Sequence, residues 1–283
     1  MDILLPSRDS LGEGPVWSVE GQCLYWVDIV GAQVRRADLD GQGLQVWPTP
    51  GKVGSAVPAR NGTMILALRD GLGRLDLKSG QVDMVLTLEK DKPGQRFNDG
   101  KCDPQGRFWF GSMHDLESEP VGALYRYDPS GSCRQMLTGI TTSNGLGWSP
   151  DGGTFYYTDS IARQIYGFDF HDDGSISDRR VFAQDPGHYV PDGLTVDAEG
   201  FVWSAKWDGG RIVRYAPDGR VDRVVTMPVR RPTSCTFAGS DLRTLVVTSA
   251  AWGLSTLSPE GVDGAVFLLD VGVAGLPSTD FAG

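Results

Sequence analysis

A unit of about 41 to 48 residues recurs along this chain and restricts the possible folds more than any other feature. The stretches LGEGPVWSVEGQCLYW, RFNDGKCDPQGRFWF, SNGLGWSPDGGTFYY and PDGLTVDAEGFVW each begin with an acid or amide near a glycine, then run through a short apolar segment, a turn glycine and an aromatic strand. Aligning the turn glycines gives five copies of the unit: Gly21, Gly62, Gly106, Gly152 and Gly200. A looser sixth copy begins near Ser234. Internal repeats with a period in this range indicate a repeat architecture.

Each copy contains about four short strands. In the fifth copy we predict strands at residues 193–196, 201–206, 211–215 and 221–226, separated by AEG, DGG and PDG turns. Short strands joined by such turns are typical of antiparallel meanders. Four-stranded repeats of this length are the blades of a propeller. We therefore predict an all-β fold: one six-bladed β-propeller domain over residues 1–283, made of four-stranded antiparallel blades. Residues 3–5 are expected to supply the outer strand of the last blade.

Composition and charge exclude several classes of function. A formal net charge of −10 argues against nucleic-acid binding, which needs a basic surface. No apolar stretch reaches the roughly 18 residues of a membrane helix. The N-terminal residues lack a basic head followed by a long apolar run, which predicts that there is no signal peptide. The four cysteines form no CxxC pair and are expected to be buried free thiols. We expect a cytoplasmic protein that binds neither nucleic acid nor membrane; its oligomeric state stays open, with a monomer as one option.

The polar residue at the head of each repeat predicts a functional site. Counting back eight residues from each turn glycine reaches five head positions: Glu13, Gly54, Asn98, Asn144 and Asp192. The first strand of each propeller blade lines the central channel, so residues in the same register form a ring around it. We therefore expect the four polar heads to converge at one mouth of the channel. The alternative is that each Asn-Gly or Asp-Gly pair only forms a turn, although turns do not require Glu13.

Two carboxylates and two amide oxygens are ligands suited to a hard divalent cation. Calcium, magnesium or manganese would match these ligands, and zinc remains an option because carboxylates also bind it. Without a cation, Glu13 and Asp192 would repel each other, and one of them would tend to hold a proton. A cation that polarises a carbonyl, with Asp192 as general base, indicates hydrolysis of an ester-like bond or hydration of a carbonyl. The GxxxxGK[ST] and GxSxG signatures of phosphate loops and serine hydrolases are absent.

The motifs resemble those of a known family. LGEGPVW, LYWVDI, RFNDGKCDPQGRFWFGSM, SNGLGWSPDG, PDGLTVDAEGFVW and PTSCTF are similar, in order and over nearly the whole chain, to the gluconolactonase family that includes regucalcin, the senescence marker protein. The resemblance implies a six-bladed propeller with one divalent metal in its channel that hydrolyses a sugar lactone to the aldonic acid. It implies Glu13, Asn144 and Asp192 as the metal ligands, with Asp192 also the base. Arg96 and Asn98 would hold the substrate.

The loop that follows GSM departs from this resemblance. Some relatives place an acidic substrate contact three residues beyond the methionine, where this chain has Leu116. We expect Glu117 to supply the contact instead, with Asp115 and His114 as alternatives. A charged surface loop with no role in binding is equally open.

Two other functions remain to be separated from sugar-lactone hydrolysis. The same metal site could hydrolyse a non-sugar lactone or a phosphotriester, because a fold does not choose a chemistry. A non-catalytic propeller that binds a cation or a protein is the second. LYWVDI is similar to the YWTD repeats of receptor propellers, but only residues 156–159 come near that signature again.

Overall fold

The computed structural model describes residues 1–5 and 8–283, and all regular elements within these ranges are β-strands. The strands form six separate four-stranded sheets, and every pairing in them is antiparallel. The predicted six-bladed β-propeller is confirmed. Within the described ranges no helix is long and apolar enough to cross a membrane.

The chain opens with β1 (Asp2–Leu5) and then builds the blades in order. Blade 1 is β2 (Gly12–Ser18), β3 (Cys23–Asp28), β4 (Gln33–Ala37) and β5 (Gln45–Pro48). Blade 2 is β6 (Val53–Pro58), β7 (Thr63–Leu68), β8 (Gly71–Asp76) and β9 (Val82–Thr87). Blade 3 is β10 (Gln95–Cys102), β11 (Phe108–His114), β12 (Gly122–Tyr127) and β13 (Cys133–Ile140). Blade 4 is β14 (Ser143–Trp148), β15 (Thr154–Asp159), β16 (Gln164–Phe170) and β17 (Ile176–Gln184). Blade 5 is β18 (Val190–Val196), β19 (Val202–Trp207), β20 (Arg211–Tyr215) and β21 (Val221–Thr226). Blade 6 is β22 (Pro232–Ala238), β23 (Thr244–Ser249) and β24 (Val266–Asp270), completed by β1.

The N-terminal strand closes the ring. β1 pairs antiparallel with β24, placing Ile3 opposite Phe267 and Leu5 opposite Val266. Blade 6 therefore takes three strands from the end of the chain and its outermost strand from the beginning. The prediction that residues 3–5 form this outer strand is confirmed.

The apolar core lies between the blades. Among the described residues, buried apolar side chains form six clusters, and each is dominated by residues of two neighbouring blades. Between blades 3 and 4, for example, the Trp109 ring lies 6.1 Å from Trp148 and 5.1 Å from Phe155, measured between ring centroids. Such aromatic contacts contribute to stability beyond the area that they bury. The recurring aromatic residues of the repeat thus hold adjacent blades together.

The cysteines are free thiols, as predicted. Cys23, Cys102 and Cys235 are buried and Cys133 is half-buried. Burial raises the pKa of Cys235 to about 12 and that of Cys133 to about 11. These thiols are therefore protonated at neutral pH and poorly nucleophilic.

The first strand of every blade carries an irregularity in its pairing at the head of the repeat. In β2 the register shifts just after Glu13, in β14 just after Asn144, and in β18 between Pro191 and Leu194. The other three inner strands shift at the corresponding place. A bulge re-aims a side chain out of the regular alternation. This explains how a residue inside a paired strand can face the channel.

The bulge also corrects one predicted boundary. We predicted that the first strand of blade 5 begins at residue 193. The strand instead begins at Val190, since Val190 and Pro191 pair with Trp207 and Lys206. The Asp-Gly pair lies inside the strand because the bulge accommodates it.

Glycines allow the inner strands to approach each other closely. A Cβ atom on Gly54 would overlap the Asn98 carbonyl oxygen, and one on Gly145 would lie 2.7 Å from the Asp192 carbonyl oxygen. Neither position can carry a side chain without moving the backbone of the next blade. Blade 2 therefore adds no polar head to the ring, as its glycine indicates.

Candidate active site

The polar heads of four blades meet on the wall of one cavity. Glu13, Asn98, Asn144 and Asp192 are all buried, and each lies on the inner strand of a different blade. All four line a cavity of about 390 Å³. The shared register of the repeats thus becomes proximity in space.

The two amides are fixed by hydrogen bonds. The Asn98 side chain donates through Nδ2 to the Ser143 carbonyl oxygen at 2.8 Å and to Asn144 Oδ1 at 3.3 Å. Asn144 donates through Nδ2 to Ser160 Oγ at 3.0 Å. Because its Nδ2 is engaged with Ser160, Asn144 presents its carbonyl oxygen towards Asn98 and the ring. Its second lone pair is suited to a cation.

The carboxyl groups of Glu13 and Asp192 are buried with few hydrogen bonds to offset the loss of solvation. Burial, and then the charge of Asp99, raises the pKa of Glu13 to about 8. Burial, followed by the charges of Glu13 and Asp99, raises the pKa of Asp192 well above its usual range. Glu13 Oε2 accepts a hydrogen bond from the Gly14 N–H at 2.8 Å. In the described chain Asp192 Oδ1 is buried and has no hydrogen-bond partner.

These features fit a hard divalent cation. A buried acceptor without a donor is costly, and a cation beside Asp192 Oδ1 would remove that cost. Glu13, Asp192 and the Asn144 side chain offer carboxylate and amide oxygens, the types of oxygen that such ions bind in proteins. Over residues 1–5 and 8–283, no three His, Cys, Asp or Glu side chains group so as to hold a metal ion. A cation at this position would therefore need the Asn144 amide oxygen as well as the two carboxylates.

Arg96 lies on the same cavity wall and is held in place on several sides. Its Nε donates to Asp115 Oδ1 at 2.8 Å. Its Nη1 donates to Asn98 Oδ1 at 2.5 Å and to the Phe97 carbonyl oxygen at 3.2 Å. The planar guanidinium is thereby oriented before any ligand binds, which suits it to contact substrate oxygens.

The structure separates the candidates in the loop after β11. Glu117 and Asp115 both line the cavity. Glu117 Oε1 accepts a 3.4 Å hydrogen bond from Thr142 Oγ1, and burial raises the pKa of the Glu117 carboxyl. Leu116 projects at the rim with 81 % of its surface exposed. His114 instead bonds to Ser118 Oγ through Nδ1 at 3.0 Å, and its side chain is not part of the cavity wall.

Several residues of the cavity wall were not found from the sequence. They include Lys52, Thr142, Ser160 and Trp252. All four lie in segments between strands or between blades, outside the register of the repeat, so counting from turn glycines could not reach them. Trp207, the last residue of β19, also lines the cavity, and the Arg231 guanidinium lies 4.5 Å from the centre of one of its rings.

Comparison with known proteins identifies the family. The profile described as SMP-30/Gluconolactonase/LRE-like region matches residues 11–251, which includes every polar head of the ring. The chain belongs to this family. The resemblance inferred from the sequence motifs is confirmed.

Members of this family match the chain over nearly its full length. An L-arabinolactonase of Azospirillum brasilense is 38 % identical over 290 residues, covering 99 % of this chain and 95 % of the relative. A 6-deoxy-6-sulfogluconolactonase of Pseudomonas putida is 36 % identical and covers 96 % of this chain and 95 % of the relative. Among solved structures, a calcium-binding regucalcin from Agrobacterium tumefaciens has a TM-score of 0.93 at 26 % identity, covering 99 % of this chain and 97 % of that one.

Proposed function

We propose that this member of a lactonase family hydrolyses a sugar lactone to the aldonic acid, using a divalent cation held by Glu13, Asn144 and Asp192. The observation that carries the proposal is the buried Asp192 carboxyl, whose Oδ1 has no hydrogen-bond donor among the described residues. It lies beside Glu13 in a cavity lined by oriented amides and a guanidinium. Two relatives are named as lactonases of sugar derivatives, which favours the same reaction class here.

The residues of the site can divide the reaction between them. A bound divalent cation would polarise the lactone carbonyl and lower the pKa of a water molecule. Asp192 would accept a proton from the water that attacks the carbonyl carbon. The ring C–O bond then breaks, and the departing ring oxygen takes up a proton, which Asp192 can return. Water is consumed, and one aldonic acid is formed from one lactone.

Arg96, Asn98 and Glu117 would hold the sugar. The Arg96 guanidinium is pre-oriented by Asp115 and Asn98, so it can donate to hydroxyl or ring oxygens with little loss of side-chain entropy. Glu117 faces the same cavity and can accept from a hydroxyl group. Asp115 is the alternative acidic contact.

The identity of the metal is part of the proposal. A related structure is described as a calcium-binding protein, which favours calcium. The oxygen ligands of this site suit magnesium and manganese equally well, and zinc is a fourth choice.

The decisive experiment is turnover by metal-stripped protein, with each of the four ions added back singly. D-glucono-1,5-lactone and L-arabinono-1,4-lactone are followed by pH drift, with the spontaneous rate subtracted. We expect activity to be lost on chelation and restored by at least one ion. Asp192→Asn should lower kcat by at least about 100-fold, the usual contribution of a general base. Asp218→Asn, which changes an exposed aspartate in a turn of blade 5, is the matched control.

A second readout does not depend on turnover. The activating ion should raise the thermal midpoint of the native protein, because it binds only the folded state, and this shift should disappear in Asp192→Asn and Asn144→Ala. Full metal-dependent activity in either variant would show that the assigned residues are wrong. No turnover with any ion would favour the non-catalytic propeller.

A non-sugar substrate is favoured by one feature of the cavity. Two of its wall residues, Leu116 and Trp252, are 81 % and 52 % exposed and present an apolar rim. Such a rim suits a substrate with an apolar substituent. Aryl esters, alkyl lactones and phosphotriesters should therefore be assayed beside the sugar lactones. A higher kcat/KM for one of these compounds would replace the sugar lactone as the substrate class.

A further inference from the structure

Three charged side chains form a cluster at the entrance of the cavity. The Lys52 ammonium lies 2.9 Å from Asp115 Oδ1 and 2.8 Å from Oδ2. The Arg96 guanidinium donates through Nε to Asp115 Oδ1 at 2.8 Å. All three side chains line the cavity that holds Glu13 and Asp192. One carboxylate thus bridges two cations beside the proposed reaction centre.

The backbone fixes the position of this carboxylate. Asp115 directly follows β11, and its N–H donates to the Gly94 carbonyl oxygen at 2.7 Å. Arg96 lies opposite Met113 in the paired strands β10 and β11. Lys52 comes from the connection between blades 1 and 2 and completes the cluster from the other side. The tertiary fold therefore brings the three charged side chains together, and the backbone hydrogen bond of Asp115 fixes the start of the loop that follows β11.

Asp115 is a charged group at neutral pH. Its side chain is 38 % exposed and that of Arg96 is 10 % exposed. Burial alone would raise the pKa of Asp115, but the hydrogen bond from Lys52 and the charge of Arg96 outweigh this effect and hold the pKa below its usual range. The carboxylate therefore offsets one of the two positive charges at the entrance.

We propose that Asp115 is a specificity-determining residue, which makes the entrance favour an uncharged sugar lactone over one with an anionic substituent. The inference rests on the proposed lactonase function. An anionic group that approaches Lys52 and Arg96 meets a carboxylate already paired with both. It must displace that carboxylate or be repelled by it, whereas a neutral hydroxyl group can bind without displacing the carboxylate and is not repelled by its charge.

Two lactones with the same ring test this assignment. The value of kcat/KM is measured for D-glucono-1,5-lactone and for 6-phospho-D-glucono-1,5-lactone at low ionic strength, with the spontaneous rate subtracted. Asp115→Asn removes the charge but keeps an oxygen that can accept from Arg96. We expect the ratio of phosphorylated to neutral substrate to rise about tenfold, equivalent to about 1.4 kcal/mol in relative transition-state binding.

Opposite and control variants distinguish charge from shape. Lys52→Gln should move the ratio the other way, by about threefold to tenfold, because the entrance loses a positive charge. Raising the salt concentration to about 0.5 M should shrink both effects, since exposed charges are screened. Asp83→Asn makes the same change of charge on the exposed outer strand β9 and should leave the ratio unchanged.

The outcomes separate this inference from the proposed function. If Asp115 only braces Arg96, Asp115→Asn will lower kcat/KM for both lactones by the same factor, and an unchanged ratio overturns the inference alone. If the wild-type protein hydrolyses neither lactone above the spontaneous rate with any metal, the proposed function fails and the inference fails with it. A ratio that rises in Asp115→Asn and falls in Lys52→Gln supports both.

Discussion

Buried aspartates anchor the aromatic strands of the repeat. Asp197 Oδ2 accepts from Trp203 Nε1 at 2.8 Å and from Arg214 Nη2 at 2.7 Å, while its Oδ1 accepts from the Phe201 N–H at 3.0 Å. Asp103 binds Trp109 Nε1 at 2.8 Å in the same way. The spacing DxxGxxW in DAEGFVW and DPQGRFW places the tryptophan six positions after the acid. The same aspartate therefore supports the turn and accepts a hydrogen bond from the indole.

Removing such an aspartate should destabilise the whole blade. Asp197→Ala leaves the buried Arg214 guanidinium and the Trp203 indole N–H without their shared acceptor. We expect the free energy of unfolding to fall by about 3 kcal/mol, the lower end for breaking a buried ion pair, since Arg214 keeps its contacts with Glu199 and Asp222. Denaturation in urea measures the change.

A matched control lies in the same blade. Asp218 is an exposed turn aspartate that pairs with Arg220 at 2.7 Å, and Asp218→Ala should change stability little because exposed ion pairs contribute little. Equal losses in the two variants would mean that the Trp203 and Arg214 contacts of Asp197 do not carry its contribution.

At the scale of elements, the closing strand β1 shows how the alternation of side chains between the two faces of a strand decides which of them contributes to stability. In β1, Leu4 is 7 % exposed and packs in the cluster between blades 6 and 1 that contains Trp17 and Trp26, whereas Ile3 is 42 % exposed. The two neighbours point to opposite faces of the strand. Their stability contributions should therefore differ.

We expect Leu4→Ala to lower the free energy of unfolding by about 2–3 kcal/mol, through lost burial and the cavity left behind. Ile3→Ala should stay within about 0.5 kcal/mol, as for most exposed positions. Chemical denaturation of both variants, with size-exclusion chromatography to detect pairing through an exposed β24 edge, tests the closure. Equal and small effects would show that β1 does not secure the ring.

Over the whole molecule, the C-terminal tail ties distant blades together. The Ala198 N–H of blade 5 donates to the Ala274 carbonyl oxygen at 2.9 Å. The Phe281 N–H donates to the Pro58 carbonyl oxygen of blade 2 at 2.8 Å, and its buried ring stacks on Tyr127 of blade 3 at 5.6 Å. Ala198 follows the inner strand β18 and Pro58 ends the inner strand β6, so both lie away from the polar heads. The tail thus crosses the face opposite the candidate site.

Phe281→Ala should cost about 3–5 kcal/mol, as for other buried phenylalanines, and lower the thermal midpoint. The activity of the folded variant at low temperature should be unchanged, because the tail does not reach the cavity of the site. Pro277→Ala, at an exposed position of the same tail, should stay within about 1 kcal/mol. Loss of activity in folded Phe281→Ala would show that the two faces are coupled.

Much of the architecture could be predicted because it repeats. The turn glycines mark five of the six blades, and the eight-residue offset leads to Glu13 and Asp192. The offset could not reveal the bulges, since a strand that bulges and a strand that begins after a turn both show a polar residue beside a glycine. For this reason the predicted start of this strand, residue 193, is three residues later than the observed start at Val190.

The sequence by itself determined the fold, the ring of polar heads and the family. Each depends on residues that recur at the same position in successive repeats, so the pattern can be found along the chain. The tertiary structure decided the rest of the site. Lys52 and Asp115 form an ion pair although they are 63 positions apart, and Arg96 joins them from another strand. Lys52 and Asp115 lie in connections that do not repeat. Their partners are set only when the blades close into a ring, and no local pattern specifies which side chains then face each other.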